Sequence, residues 1–528
     1  MFLRNLFLVV SLVLALLSPD GCGIARDGAH QAKAKYLFLF IGDGMGVAQR
    51  AAAELYLRNG KSWTHPGDAR LVMNGFPAQG LNTTGDLSSV IPDSAAAGTA
   101  IACGRKTRSI VLGMDAEGKT SYENIAELAR KHHRKVGILT TVSLDHATPA
   151  AFYAHVPNRR KMYDISMQLA ASGVDYFAGG QLMEPKDRND PGKPDAVETA
   201  RRNGYSIAVG REGFETLKPG MGKVIAMSGV VDRNAAMYFT LDQGNDSAHV
   251  SIAEYLSKAV ELLDNPNGFF IMTEGGKIDW ACHAHDAAAA VHDTLALDDA
   301  VAEAVRFYKK HPEETLIVVT GDHETGGLAI GYTRTGYSSH VELLRHQKMS
   351  YIEFEKRFAE YRKTHSPADA RLEDLMPLIE DAYGLRIMAA AEKQALEKAV
   401  QEAKTSGAPG EAKKATTAAT EQLKSGMALT DLEIEELREA LKQSMSSGKE
   451  RPGDERAFIL YGTEEPLVVK VTTILNNKAG LGWTTFAHTG VPVQTSALGV
   501  GAEAFNGYYD QTDIFAGMVD AAGFGMAP

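Results

Sequence analysis

The sequence predicts an α/β fold, a three-layer αβα sandwich with a large, mostly parallel central sheet, and three observations carry that expectation. Residues 35–41, 136–141, 268–272 and 316–320 are largely apolar runs of strand length, the first stopped by Gly42. Such runs mark strands buried on both faces of a parallel sheet. Between them lie stretches such as 121–130 and 251–263, with apolar residues at the three-and-four spacing of amphipathic helices. Strands alternating with helices put crossovers on both faces of the sheet. Finally, most of the chemically loaded segments follow one of these runs or open a helix, and a site on such a sheet forms at the carboxyl ends of its strands.

A chain of 528 residues is long enough for one large core with insertions. Hydrophobic residues make up 44% and charged residues 23%, ordinary globular usage that excludes a disordered, collagen-like or coiled-coil protein. Lys and Arg total 55 against 66 Asp and Glu, a net charge of -11. That balance makes the chain a poor candidate for a sequence-independent nucleic-acid binder, so no nucleic acid is expected as a dedicated partner, and an anionic ligand needs a local positive patch. The opening residues carry one cation, Arg4, then an apolar run over 6–17 and Ser18-Pro19-Asp20-Gly21. Residues 1–22 therefore read as a signal peptide, which implies export to the periplasm or beyond, with no stable membrane span after cleavage. Cys22 raises a lipoprotein anchor, but Pro19-Asp20-Gly21 lacks the small or apolar residues such a site uses. The three cysteines, Cys22, Cys103 and Cys282, form no disulfide framework, and Cys282 reads as a small packing residue.

Over residues 345–455 the texture turns charged and Ala-rich, with helical stretches at 389–404 and 429–442 joined through Ser406-Gly407-Ala408-Pro409-Gly410. This predicts a mainly helical insertion within a core built from 30–344 and 456–528. An apolar, strand-like pattern resumes at Ala457 and over 466–474.

The candidate site residues come in clusters. Gly42-Asp43-Gly44-Met45-Gly46 follows the first strand, and its glycines let the chain turn so that one carboxylate projects above the sheet edge. It is neither a Walker motif nor a dinucleotide fingerprint. Asp93-Ser94-Ala95-Ala96 opens a small-residue helix stopped by Gly104; Ser94 is there either an ordinary N-cap or a nucleophile at the positive end of the helix. His146-Ala147-Thr148 follows the second run, and beyond it Arg159 offers a planar fork that fits two phosphate oxygens. In Glu274 to His283, Asp279 and His283 are four apart and share a helix face, so both can reach one ion; His285 and His292 read as structural or as residues standing behind the ligands. Asp322 and His323 stand together after the run 316–320, and His488 lies far beyond the insertion. Oxygen and imidazole donors without thiolate suit catalytic zinc, and the clusters hold enough ligands for three ions.

Taken in order, GDGMG, PDSAAAGTA, HATPAAFYAH followed by NR, EGGKIDWACH, TGDHETGG and AHTG resemble the alkaline phosphatase family. The resemblance spans the core from about residue 35 to 336 and again from about 457. It implies an alkaline phosphatase-like fold and an enzyme that hydrolyses small phosphate monoesters to an alcohol and inorganic phosphate at alkaline pH. Ser94 would form a phosphoserine intermediate, Arg159 would clamp the phosphate, and Asp93 would orient Arg159. One Zn2+ would be held by Asp279, His283 and His488, the other by Asp43, Asp322 and His323, and a third ion, usually Mg2+, by Asp43, Thr148 and Glu274. His146 and Trp280 stand behind these ligands, where some bacterial relatives carry Asp and Lys, and mark a subtype. Family members are commonly homodimers. A phosphodiesterase or sulfatase of the same superfamily is the nearest alternative. Thr148 and Glu274 oppose the first and Ala95-Ala96-Ala97 after Ser94 opposes the second, while the complete residue set opposes a catalytically silent binding protein.

Overall fold

Ten strands form the central sheet of the computed structural model, which describes residues 33–61, 69–244, 246–405, 426–446 and 455–525. In chain order they are β1 (Tyr36–Gly42), β2 (Ala78–Thr83), β3 (Lys135–Thr140), β4 (Tyr176–Gly179), β5 (Tyr205–Val209), β6 (Lys223–Met227), β7 (Phe269–Gly275), β8 (Thr315–Gly321), β9 (Val493–Gly499) and β10 (Gly507–Asp510). Across the sheet the order is β10-β2-β9-β8-β1-β7-β3-β4-β6-β5. Only β9 runs antiparallel to its neighbours; every other pairing is parallel. The four apolar runs of the sequence are β1, β3, β7 and β8, which lie side by side at the centre. The expected signal peptide and Cys22 lie outside the described residues.

Alternation along β1 makes the layers. Phe38 and Phe40 enter one core with the helices Val47–Leu57, Ile252–Leu263 and Ala287–Tyr308, whereas Leu37, Leu39 and Ile41 enter a second with Ser94–Cys103, Ile125–Lys131 and Thr512–Ala522. Each such side chain stabilises the fold by about 1.5–3 kcal/mol on burial, and β1 leaves none of its residues exposed. Helix Ile252–Leu263 begins where the sequence put it, because Ser251 and Glu254 form a capping box. Helix Ile125–Lys131 begins four residues later than expected. The capping box there belongs to Asn124 and Glu127, and Ser121 is bridged to Met114 instead.

Residues 345–455 include the helices Tyr351–Thr364, Leu372–Tyr383, Ala390–Thr405 and Asp431–Met445. Phe354, Phe358, Ile379 and Leu437 join the same core as Phe38. The strand-like pattern after the insertion is corrected: Glu455–Tyr461 and Pro466–Ala479 are helices. The run is rich in β-branched residues, which mimics a strand. However, Pro466 sits at the helix start, and Leu467, Val468, Val471, Ile474 and Leu475 recur on one buried face. No helix among the described residues is long and apolar enough to cross a membrane.

Candidate active site

Four adjacent strand ends deliver the clustered residues to one place. Asp322 and His323 follow β8, Asp43 follows β1, Glu274 lies at the end of β7, and Thr148 sits in the short helix Ala147–Ala150 beyond β3. The turn after β1 is tight because Gly44 has a φ of 70°. A Cβ on it would lie 2.9 Å from the Cα of Asp279, so glycine lets the helix Lys277–His283 close over the turn. That helix aligns Asp279 Oδ1 with His283 Nε2 at 3.3 Å, and His488 arrives by antiparallel pairing with Thr325.

Ser94 opens the helix Ser94–Cys103 without capping it. The cap is Asp93, whose Oδ1 accepts hydrogen bonds from Ala96 N and Ile110 N, both at 3.0 Å. Ser94 Oγ is thereby freed; the residue is 2% exposed, and its hydroxyl lies 3.3 Å from His323 Nε2. The other oxygen of Asp93 accepts from Arg159 Nη1 at 3.1 Å, while Arg159 Nη2 donates to His146 Nε2 at 3.0 Å. The guanidinium is therefore held from two sides.

Three groups of side chains bring potential ligand atoms within 4.8 Å of one another: Asp279, His323 and His488; Asp43, Asp322 and His323; Asp43, His146 and Glu274. His283 belongs beside the first, with Nε2 3.2 Å from His488 Nε2. His283 Nδ1 donates to Phe486 O at 2.6 Å and His488 Nδ1 to Pro92 O at 2.8 Å. A carbonyl oxygen only accepts, so Nδ1 of each ring carries a proton and Nε2 faces the cluster, the orientation in which the neutral ring offers a metal its lone pair. In the third group Thr148 Oγ1 donates to Asp43 Oδ2 at 3.2 Å, and His146 Nδ1 is 4.0 Å from Glu274 Oε1. Because His146 Nε2 accepts from Arg159, the proton of the neutral ring is on Nδ1, which keeps His146 behind the ligands.

Residues 34–189 and 173–524 match the family model for alkaline phosphatase. The chain belongs to the alkaline phosphatase family. Alkaline phosphatase 3 of Bacillus subtilis is 27% identical over 505 residues, 94% of this chain and 90% of that one. Alkaline phosphatase 4 of Drosophila melanogaster is 27% identical over 358 residues, a match that spans only 59% of either chain. Alkaline phosphatase 4 of Bacillus subtilis is 31% identical over 312 residues, 57% of this chain and 64% of that one. A cold-active alkaline phosphatase from a psychrophilic Shewanella superimposes with a TM-score of 0.68 at 23% identity, over 92% of this chain and 99% of that one, a likeness of fold.

The electrostatics of the site ask for cations. Asp43, Glu274, Asp279 and Asp322 are all buried. Asp43 Oδ1, Asp322 Oδ2 and Glu274 Oε1 find no hydrogen-bond partner among the described residues. Burial, then the neighbouring carboxylates, push Asp43 well above its ordinary value, and Asp322 moves the same way. Burial lifts Glu274 to about 7. Asp279 differs: burial raises it, but His283, His488 and His323 overcome this and hold it well below the usual carboxylate range. Burial works against a charge on His283, yet Asp279 lifts it to about 9. Asp279 and His283 can thus balance one another, whereas Asp43, Asp322 and Glu274 form a buried anionic set that is costly without added positive charge. The donors, carboxylate and imidazole, fit zinc and magnesium.

Sequence reasoning assigned no role to several residues here. Thr140 Oγ1 bonds Glu274, and Thr325 Oγ1 donates to Asp279 Oδ1 at 2.5 Å. Glu324 accepts from Gln49 Nε2 at 2.7 Å, from Gly327 N and Leu328 N at 3.1 Å, and from Thr489 Oγ1, tying the turn after His323 to the strand that carries His488. Lys277 is buried against Asp232 at 2.5 Å, with its ammonium 4.8 Å from the centre of the Trp280 ring, which also meets His146 edge-on. His285 stacks on Trp483 and Phe486 and His292 bonds Tyr56, both outside the ligand groups. Cys282 is a buried free thiol.

Proposed function

We propose that this chain is an exported alkaline phosphatase that hydrolyses phosphate monoesters through a phosphoserine at Ser94. The observation that supports the reading best is the uncapped Ser94 hydroxyl 3.3 Å from His323 Nε2, with Arg159 fixed beside it by Asp93. When bound, zinc at Asp279, His283 and His488 and at Asp43, Asp322 and His323, with magnesium at Asp43, Thr148 and Glu274, supplies charge that lowers the pKa of the Ser94 hydroxyl and of water and offsets charge on the leaving oxygen. Arg159 grips two phosphoryl oxygens through its fork, and Asp93 and His146 keep that fork in plane. Ser94 Oγ gives its proton to water and attacks phosphorus; the Ser94 oxygen–phosphorus bond forms as the ester bond breaks, and the departing oxygen takes a proton from water to leave as the alcohol. The amides at the start of the Ser94 helix face the developing negative charge. Water then attacks from the opposite side, restores Ser94 and frees phosphate.

Turnover of p-nitrophenyl phosphate and of its diester, with and without chelator, tests this. Chelator-sensitive hydrolysis that favours the monoester is expected; its absence, or a preference for the diester, would overturn the reading. Trp280 also leaves the phosphate site without a charge that a lysine there could extend. Trp280→Lys should tighten inhibition by inorganic phosphate by about fivefold, the effect of a solvent-screened ion pair of roughly 1 kcal/mol. An unchanged inhibition constant would sink that assignment.

A further inference from the structure

Ile110 is out of place by two independent measures. It has a φ of 69°, a backbone conformation that disfavours β-branched side chains and that Asn or Gly adopts readily. The other described non-glycine residues with positive φ are Asn59, His133, Ala235 and His285, none of them β-branched. The residue is also 43% exposed, so packing does not account for an isoleucine there. Strain of this kind persists where surrounding structure enforces it, and it concentrates at ligand contacts. The enforcement is visible: Ile110 N donates to Asp93 at 3.0 Å, and Ile110 O accepts from Arg159 N at 2.8 Å. Ile110 therefore sits directly on Arg159, the residue assigned to the phosphate, and on Asp93, which orients it.

It has apolar company. Ile91, three residues before Ser94, is 43% exposed, and Val491, three residues after His488, is 51% exposed. The two segments lie against each other, since a Cβ on Gly490 would be 3.6 Å from Ile91 Cγ1, and His488 Nδ1 donates to Pro92 O. The loop is braced by Asp86, which accepts from Ser89 N at 2.8 Å and from Ser109 Oγ at 2.5 Å.

We propose that Ile110, with Ile91 and Val491, forms an apolar lip over the phosphate site that receives the alcohol part of the ester and selects monoesters of apolar, alkyl or aryl, alcohols. The inference rests on the phosphomonoesterase reading above. Ser94 is buried at the bottom of the site, and in-line displacement puts the leaving oxygen on the far side of phosphorus, so the alcohol points to the mouth. Apolar surface there gains only from an apolar alcohol.

Ethyl and hexyl phosphate provide the test, because their leaving groups are similarly basic and differ in apolar area. The protein should prefer hexyl phosphate in kcat/KM by about tenfold, less than full burial of the added methylenes would give. In Ile110→Asn, which suits the positive φ, that preference should fall to about threefold or less while Tm holds or rises. Equal efficiency on the two esters, an undiminished preference in the variant, or a Tm lowered by several degrees would each overturn the lip. A changed sedimentation coefficient in the variant, the mark of a face covered by a second copy, would overturn it too. Hydrolysis of neither ester would overturn the phosphomonoesterase reading and the lip with it, whereas equal hydrolysis of both overturns the lip alone.

Discussion

Ser94→Ala is expected to lower kcat/KM for p-nitrophenyl phosphate by roughly 10⁴-fold or more, as loss of a covalent nucleophile does, and to leave Tm and metal content nearly unchanged. The separation follows from the helix cap. Had Ser94 capped its helix, alanine would cost about 1 kcal/mol and loosen the site as a whole. Instead Asp93 accepts from Ala96 N and holds Arg159, and neither contact uses the serine hydroxyl. Alanine at the first helical position keeps the backbone amides in place and creates little empty volume, so Arg159 and the ligand groups should stand where they are. Acid quench during turnover of a labelled substrate should trap a phosphoserine in the parent and none in the variant. Retained label, or activity within tenfold of the parent, would show that another group accepts the phosphoryl.

Much of this arrangement was legible in the sequence because β1, β3, β7 and β8 are buried on both faces. A strand with no solvent side is written as an apolar run, and the polar residues that interrupt the chain just beyond it are the ones the sheet edge displays. Where a helix was buried nearly all round the text was weaker. Residues 466–474 have the β-branched content of a strand, and only the recurrence of apolar side chains on one face, after Pro466 at the start, marks the helix. Ser94 and Asp93 could not be told apart as caps, since either side chain can accept from the amide three residues on. The bonds that orient His283 and His488 end on the carbonyls of Phe486 and Pro92. Any residue supplies a carbonyl, so such partners leave no signature in residue type. Thr140, Lys277 and Asp232 reach the site only through strand register and tertiary packing. Glu324 and Thr325 stood in the open, inside TGDHETGG, but their partners Gln49, Asp279 and Thr489 are distant in sequence. Ile110 shows its peculiarity only as a dihedral angle.

Stripped of its ions, the protein should lose all turnover, and its stability relative to the loaded form should fall as pH rises from about 5 to 8; buried histidines such as His146, lowered to about 3 by burial, and His285, lowered to about 4, slope the other way in both forms. Glu274 sets the window. Burial raises its folded value from 4.5 to about 7, so the folded state favours the protonated acid. A raised value contributes stability that is complete below the unfolded value and is lost as pH climbs through the folded one. For Glu274 alone the loss is on the order of 3 kcal/mol. Asp43 and Asp322, raised first by burial and then by neighbouring carboxylates, act with the same sign. Other buried acids titrate nearby, since burial lifts Asp286 and Asp298 to about 6 and Asp293 to about 7. They lie outside the ligand groups and slope the stripped and loaded proteins alike, so the difference between the two profiles isolates the cluster. Ion binding needs those carboxylates deprotonated, which makes added zinc and magnesium weakest as stabilisers at low pH and strongest at high pH. Denaturant midpoints of the stripped and loaded forms should therefore converge near pH 5 and separate steadily towards pH 8. Parallel profiles would mean that Asp43, Glu274 and Asp322 do not share their burial with bound cations.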